Sequence, residues 1–221
     1  MRKKKDLSVW DFVAADPLRP VMNNVHYNHE DKVAVASNFY KMFVSHKDYR
    51  PLHKKYYAEE INMNGERIKK IKEYEAYDKY DNGIDGRYPN YKIVIPNDEL
   101  LTTVTLARDE EIKKRIADAK AEHKSLGRRN PNQRIALSVM GEDRYGVDFT
   151  FDNRLVKLEH VNIMLSAGLD GWKVKFGNRL GNDCKGVEMF VKKFENGDVL
   201  LLMPTIVVED CIKYKSFEEN M

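Results

Sequence analysis

The chain has 221 residues, 42% of them hydrophobic and 33% charged, with 38 Lys and Arg against 35 Asp and Glu for a formal net charge of +3. That composition suits a buried core and one or two domains, and no run approaches the roughly 18 apolar residues of a membrane span, which argues against a membrane protein. The start MRKKK leads into DLSVWDF and not into the apolar core of a signal peptide, so a cytoplasmic location is expected. Cys184 and Cys211 lie outside any CxxC pattern, which points to a reduced compartment and a structural role.

In chain order, LSVWDFVAADPLRP reads as a short helix before Pro17 or as an opening strand. LRPVMNNVHYNHEDKVAVASNFYKMFV follows, with a hairpin expected at HYNHED; the Arg-containing strand before that hairpin is what the family resemblance described below implies. Between Arg50 and Asp85 the chain turns Lys- and Tyr-rich with weak periodicity. Two readings stand for it: a remnant helix with strands around Asn64-Gly65, or an insertion. Its interleaved Tyr and Lys suit single-stranded nucleic acid, although a half-exposed sheet edge is the commoner cause of such a pattern. In DGRYPNYKIVIP, an Asp-Gly turn precedes a short apolar strand bracketed by Pro89 and Pro96. Proline fixes φ and removes a ladder donor, so this stretch reads as a crossing between domains.

Downstream, Arg108 to Arg129 predicts a helix, with Ile112, Ile116, Ala119 and Leu126 near helical spacing, acids in the first turn and Gly127 as a stop. Its polar face carries a positive excess from Lys113, Lys114, Lys120, Lys124, Arg128 and Arg129, diluted by Asp118 and Glu122. A solvated face obeying the helix dipole accounts for it equally well. A second helix is expected from Asn153 to Ala167, with Arg154 and Lys157 facing outward. RIALSVM, YGVDFTF, GWKVKF, GVEMFVKKF and DVLLLMPTIVV are expected strands, with Asn196-Gly197 as a hairpin turn.

Catalytic signatures are sparse. The chain has no Walker loop, no GxSxG, no HExxH and no paired-carboxylate signature, and the glycines of GLDGWKVKFGNRLGNDCKG follow no dinucleotide pattern. His26 and His29 flank a hairpin without i, i+4 spacing or an evident third ligand. His160 sits in an apolar stripe, as packing histidines do. No enzyme activity, cofactor or metal is expected.

Three segments, in order, resemble the DNA polymerase sliding clamps of bacteria. DGRYPNYKIVIP resembles the clamp linker, in which a Gly-Lys/Arg-aromatic-Pro-Asp-Tyr run enters a Val-Ile/Leu-Pro strand. ASNFYKMFV is similar to the Ala-Thr-Asp-Gly-His-Arg-Leu-Ala run, with Ser37 for Thr, Asn38 for Asp, Lys41 for Arg and Met42 for Leu. DVLLLMPTIVV resembles the closing clamp strand that ends Met-Pro-Met-Arg, keeping Met203 and Pro204. The resemblance spans most of residues 16 to 208.

It implies an α+β, DNA-clamp fold: two domains of antiparallel sheet packed with helices, at 1–96 (with a truncated N-terminal helix) and 97–208, then a polar tail at 209–221. It also implies a groove between the domains for polymerase and clamp-loader peptides with a Leu or aromatic anchor. Position by position, Ser37, Met42, Pro89, Ile93, Val94, Leu201, Met203, Pro204 and Thr205 would form that groove. Ile93 stands where clamps commonly have Arg, and Thr205 and Ile206 replace Met and Arg, so the rim would be less basic. Lys113, Lys114, Lys120, Lys124, Arg128, Arg129, Arg154 and Lys157 would face duplex DNA without reading its sequence. Clamps close rings of six domains, so a two-domain chain implies a head-to-tail homotrimer joined through edge strands and acting as a replication processivity factor. Three other readings remain: a clamp-fold adaptor that does not encircle DNA, a nucleic-acid binder of another β-rich fold, and a metal-dependent hydrolase using His26 and His29. In each of the last two, the three segments would be ordinary core strands.

Overall fold

The computed structural model describes residues 6–51, 56–61, 63–72, 74–106, 108–125, 134–142, 148–178, 185–204 and 213–214. Thr205, Arg128, Arg129, Gly127, Cys184, Cys211 and most of the expected tail fall outside them. The chain is α+β, with extensive antiparallel sheet and few helices, and it divides into two compact units. One unit comprises Ser8–Val94 with Glu195–Val199; the other holds Ile95–Phe194 and the chain from Leu200 onward. Among the described residues, no helix is long and apolar enough to cross a membrane.

The first unit opens with a single 3-10 turn, Val9–Phe12, where the sequence left helix and strand open. Ser8 and Asp11 form a capping box around it, and the Val9 amide donates to the Asp48 carboxylate at 2.8 Å. Capping satisfies the free amides, while Val9 and Phe12 are fully buried, Phe12 against Phe43 with ring centroids 5.2 Å apart. The expected Arg-containing strand is instead a second 3-10 turn, Pro20–Asn23. Pro20 stands at its start, where proline's fixed φ suits a helical turn and its missing donor costs nothing.

Three strands follow as a meander: β1 (Val25–Asn28), β2 (Val33–Ser37) and β3 (Lys41–Ser45). β2 and β3 are buried along nearly their whole length, which explains why VAVA and MFV run apolar without alternation. On the other side β1 pairs with β6 (Ala76–Tyr77), and β6 with β7 (Gly83–Ile84). Gly83 has no alternative: a Cβ there would lie 2.0 Å from the Tyr74 ring. The Lys- and Tyr-rich region contributes a separate two-stranded ribbon, β4 (Tyr56–Ile61) and β5 (Arg67–Lys72). Gly65, with φ +79°, sits in its turn.

The segment Glu195–Val199 belongs to this first unit although it is remote in sequence. Asp198, 5% exposed, accepts hydrogen bonds from the His46 amide at 2.6 Å, the Ser45 hydroxyl at 3.3 Å and the Asn196 side-chain amide at 3.1 Å. Gly197 takes φ +86° in the turn expected at Asn196-Gly197.

The second unit runs β8 (Leu101–Leu106), α1 (Asp109–Ser125), β9 (Arg134–Glu142), β10 (Asp148–Lys157), α2 (Leu158–Ala167), β11 (Trp172–Asn178), β12 (Lys185–Lys193), β13 (Val199–Leu202) and β14 (Lys213–Tyr214). Its strand order is β14-β10-β9-β8-β11-β12-β13, so β8 lies inside, between β9 and β11. Ile112 and Ile116 of α1, Val161 and Met164 of α2, Trp172, Phe190 and Leu200–Leu202 are buried in its core. The end of α2 is tied down from β12: Lys192 Nζ donates to the carbonyls of Ala167, Gly168 and Asp170 at 2.8, 2.9 and 2.8 Å. A lysine there satisfies the free carbonyls and meets the negative end of the helix dipole.

Two expectations are corrected. The second helix starts at Leu158, not Asn153, so Arg154 lies on strand β10 and Lys157 is the helix N-cap. Ladder pairing with β9 extends to Lys157 through an irregularity between Asn153 and Val156, and this tertiary pairing overrides the local helical spacing. The apolar run after Pro89 is not a strand but a 3-10 turn, Tyr91–Val94.

Replacing Asp198 with Ala leaves the buried Ser45 hydroxyl and the His46 amide without their acceptor. A loss of about 3 kcal/mol is expected. Urea denaturation checks it; an unchanged midpoint would show that the 195–199 segment is not a fixed part of the first unit.

Candidate functional site

The hairpin joining β2 to β3 is fixed at its tip by local bonds, among them the Asn38 amide to the Lys41 carbonyl at 3.1 Å. Asn38 accepts from the amides of Tyr40 and Lys41 at 3.2 and 3.1 Å, and the Ser37 hydroxyl accepts from the Phe39 amide at 3.3 Å. Phe39 takes φ +70°, a left-handed conformation that strains a bulky residue by roughly 1–3 kcal/mol. Phe39 and Tyr40 are nevertheless exposed, with the Arg19 guanidinium 4.7 Å from the Phe39 ring centre. Leu18, beside Arg19 in sequence, is also exposed. Lys41 points inward instead, donating to the Asp11 carbonyl at 2.5 Å. It is 5% exposed and cannot supply the exposed cation that an Arg at this place would imply.

The Tyr88–Val94 segment is fixed by its two tyrosines, three residues apart. Tyr88 is buried, stacks on His26 with ring centroids 4.9 Å apart, and donates its amide to Glu75 at 2.6 Å. Its hydroxyl has no well-formed hydrogen bond, and the Ser37 backbone beside it offsets little of the burial that pushes the phenol up. Tyr91 donates its hydroxyl to Asp31 at 2.8 Å and accepts from Asn28 at 3.1 Å. Burial first, and then Asp31, raises the Tyr91 phenol. Lys92 pairs with Asp31 at 2.6 Å, and the bonds from Lys92 and Tyr91 hold the Asp31 carboxyl below its ordinary range. With Tyr91 sunk and Lys92 tethered, Ile93 is left 80% exposed, while Val94 and Pro89 are also exposed.

Among the residues expected to form a peptide groove, Ser37 and Met42 are register partners in one hairpin, and Tyr88, next to Pro89, lies against the Ser37 backbone. Pro89, Ile93 and Val94 are displayed, Ser37 is half-buried and Met42 is buried. Leu201, Met203 and Pro204 belong to the other unit, where Leu201 and Pro204 are buried and Met203 is half-buried. Phe39, Tyr40 and Leu18 were not singled out from sequence. The short polar turn Ser37-Asn38 before two aromatics was the available signal.

On α1, Lys113 and Lys114 are exposed, opposite the buried Ile112 and Ile116. Lys113 pairs with Glu110 at 3.3 Å and Arg115 with Glu111. Lys120 and Lys124 also lie on α1. Lys157 is half-buried at the β10–α2 junction and Arg154 is on β10, so these two do not extend a helical basic face. His26 donates from Nδ1 to the Glu75 carbonyl, and His29 shares a hydrogen bond with the Tyr49 hydroxyl at 3.0 Å. Among the described residues, no group of three or more His, Cys, Asp or Glu is placed to hold a metal.

No family model, curated protein or solved structure matches the chain.

Burial lowers the His26 pKa from its ordinary 6.5, partly offset by the Glu75 carbonyl and charge, while His29 adds to the lowering. A depressed folded-state pKa means the unfolded chain binds more protons below 6.5, so stability is full above that value and falls as the pH drops. Asp31 acts in a separate window, its contribution fading only below 3.8. His26→Phe keeps an aromatic ring on Tyr88 and removes the titration. The urea midpoint of this variant is expected to fall less between neutral pH and pH about 5.5; an unchanged slope would show that His26 does not govern it.

Proposed function

We propose that the protein is a sliding-clamp-like replication processivity factor that surrounds duplex DNA as a homo-oligomer and holds polymerase and loader peptides on exposed apolar side chains. One observation carries the reading. Ile93 and Val94 project from a turn whose Tyr91 and Lys92 are locked to Asp31, so apolar groups are displayed on a prepaid, rigid base. Such a base suits a short peptide with a Leu or aromatic anchor, because little ordering cost remains to be met on binding. The exposed lysines of α1 supply sequence-independent contact with phosphate.

A second reading is favoured by one feature of the first unit. Among its described residues it has 3-10 turns but no α-helix, so the helical surface for DNA is confined to the other unit. A clamp-fold adaptor that keeps the peptide site without encircling DNA would need no more than this.

Light scattering across protein concentration and salt separates the two. A stable trimer supports the ring, and a strict monomer supports the adaptor. Two variants then separate the functions. Ile93→Asp is expected to weaken a labelled peptide with a Leu-aromatic anchor about tenfold or more, with DNA retention unchanged. Lys113→Glu with Lys114→Glu is expected to leave the peptide alone and to flatten the slope of log K against log salt by about 2 on duplex DNA. Loss of neither activity would overturn the proposal.

A further inference from the structure

The loop that leads from Ala14 into β1 is closed at its base. The Ala14 amide donates to the Met22 carbonyl at 2.9 Å, and the Asp16 amide and carbonyl bond the Asn23 side chain at 2.8 and 3.0 Å. Leu18, 88% exposed, and Arg19, also exposed, stand on this closed loop. The Arg19 backbone is held as well, its amide donating to the Asp16 carbonyl at 3.3 Å and its carbonyl accepting from the Met22 amide at 3.0 Å. Three contacts inside the first unit bring the loop, the β2–β3 hairpin and the 86–89 segment together. Arg19 lies over the Phe39 ring, a Cβ on Gly86 would lie 3.4 Å from that of Val21, and Tyr88 lies against the Ser37 backbone. Among the described residues, neither Arg19 nor the exposed Arg87 pairs with a carboxylate. Asp16, the acid nearest Arg19 in sequence, accepts instead from the Leu18 amide at 2.9 Å.

We propose that Arg19, stacked on Phe39, sets the specificity of the partner surface by taking a carboxylate, so that the peptides it accepts carry Asp or Glu next to their apolar anchor. The inference rests on the peptide-binding reading above and goes past it, because the sequence marks no exposed cation here and Lys41 is buried. A guanidinium held on a ring is held by its face, which leaves its coplanar N–H donors free to meet a carboxylate edge-on. Pairing of that kind is charge-assisted and, when bidentate, fixes direction as well as affinity. The apolar part of the ligand has its own partners, since Leu18 precedes Arg19 and Tyr40 follows Phe39, both exposed. A phosphate would also suit the guanidinium, but Leu18 offers no flat face for a base to stack on, which favours a peptide over single-stranded nucleic acid. The left-handed Phe39 acquires a purpose in this arrangement: its strained backbone keeps the ring at the surface, where it carries the arginine.

Fluorescence anisotropy on the full chain tests it with three labelled peptides that share one Leu-aromatic anchor and differ only in the residue beside it, Asp, Asn or Lys. The wild type is expected to bind the Asp peptide about fivefold more tightly than the Asn peptide. High salt is expected to shrink that preference. Arg19→Gln is expected to abolish the preference by weakening the Asp peptide alone, with the Asn peptide unchanged. Arg19→Glu is expected to invert it in favour of the Lys peptide, which a merely misfolded loop could not do. Equal binding of the Asp and Asn peptides by the wild type overturns the inference; if Ile93→Asp still weakens both, the peptide-binding reading stands without it. Binding of none of the three removes that reading and the inference together. A mixed-sequence single-stranded oligonucleotide that displaces the Asp peptide from the wild type, and that Arg19→Gln no longer binds, would assign the surface to nucleic acid and overturn the inference.

Discussion

The buried carboxylate of Asp198 is the constraint on which the first unit depends. It joins Ser45 and His46, at the end of β3, to a turn some 150 residues later in the chain. Ser45 is 1% exposed, so its hydroxyl has no water to fall back on. Closing so long a loop costs entropy that grows only slowly with length, and a few well-made bonds to a charged acceptor offset much of it. The segment up to Val94 is consequently not a self-sufficient module. The end of β3 is completed by the 195–199 segment, about 150 residues downstream.

That surface is built by sinking some aromatic groups so that others can stand out. Tyr88 and Tyr91 are buried through the same stretch that leaves Ile93 and Val94 in water, and Lys41 is drawn under the hairpin that presents Phe39 and Tyr40. An isoleucine returned from water to an apolar partner contributes about 2 kcal/mol. The strained φ of Phe39 points the same way: a left-handed aromatic is held by Asn38 and Ser37 without being buried in return. Under the proposed reading, this is energy reserved for a partner and not for the fold.

The strands of the second unit were legible because their patterns and turn chemistry agreed. GVEMFVKKF and the Asn196-Gly197 turn specify the same local structure, and α1 follows from Ile112 and Ile116 at helical spacing with acids leading. Where the sequence misled, a distant partner decided. NRLV carries apolar residues as a helix would, yet its backbone pairs with β9, and nothing local reveals that ladder. IVIP reads as a strand until Asp31, some 60 residues earlier, captures Tyr91 and closes a turn. The candidate site suffered the same blindness. Ser37 and Pro89 could be marked one by one, but only the fold reveals that Tyr88 brings their segments together and that Met42 and Leu201 are core.

The electrostatics of α1 bear on what kind of DNA contact is physically available. Its acids, Asp109, Glu110, Glu111, Asp118 and Glu122, equal in number its bases, Lys113, Lys114, Arg115, Lys120 and Lys124. The acids gather at the start, where the dipole favours them, and two of them already pair with Lys113 and Arg115. A helix so balanced has little long-range attraction for a polyanion, and exposed pairs of this kind contribute at most about 1 kcal/mol each. It would grip a phosphate backbone poorly on its own. Under the proposed reading, weak, salt-screened contacts of this kind would leave a duplex free to slide, with retention resting on assembly of several copies.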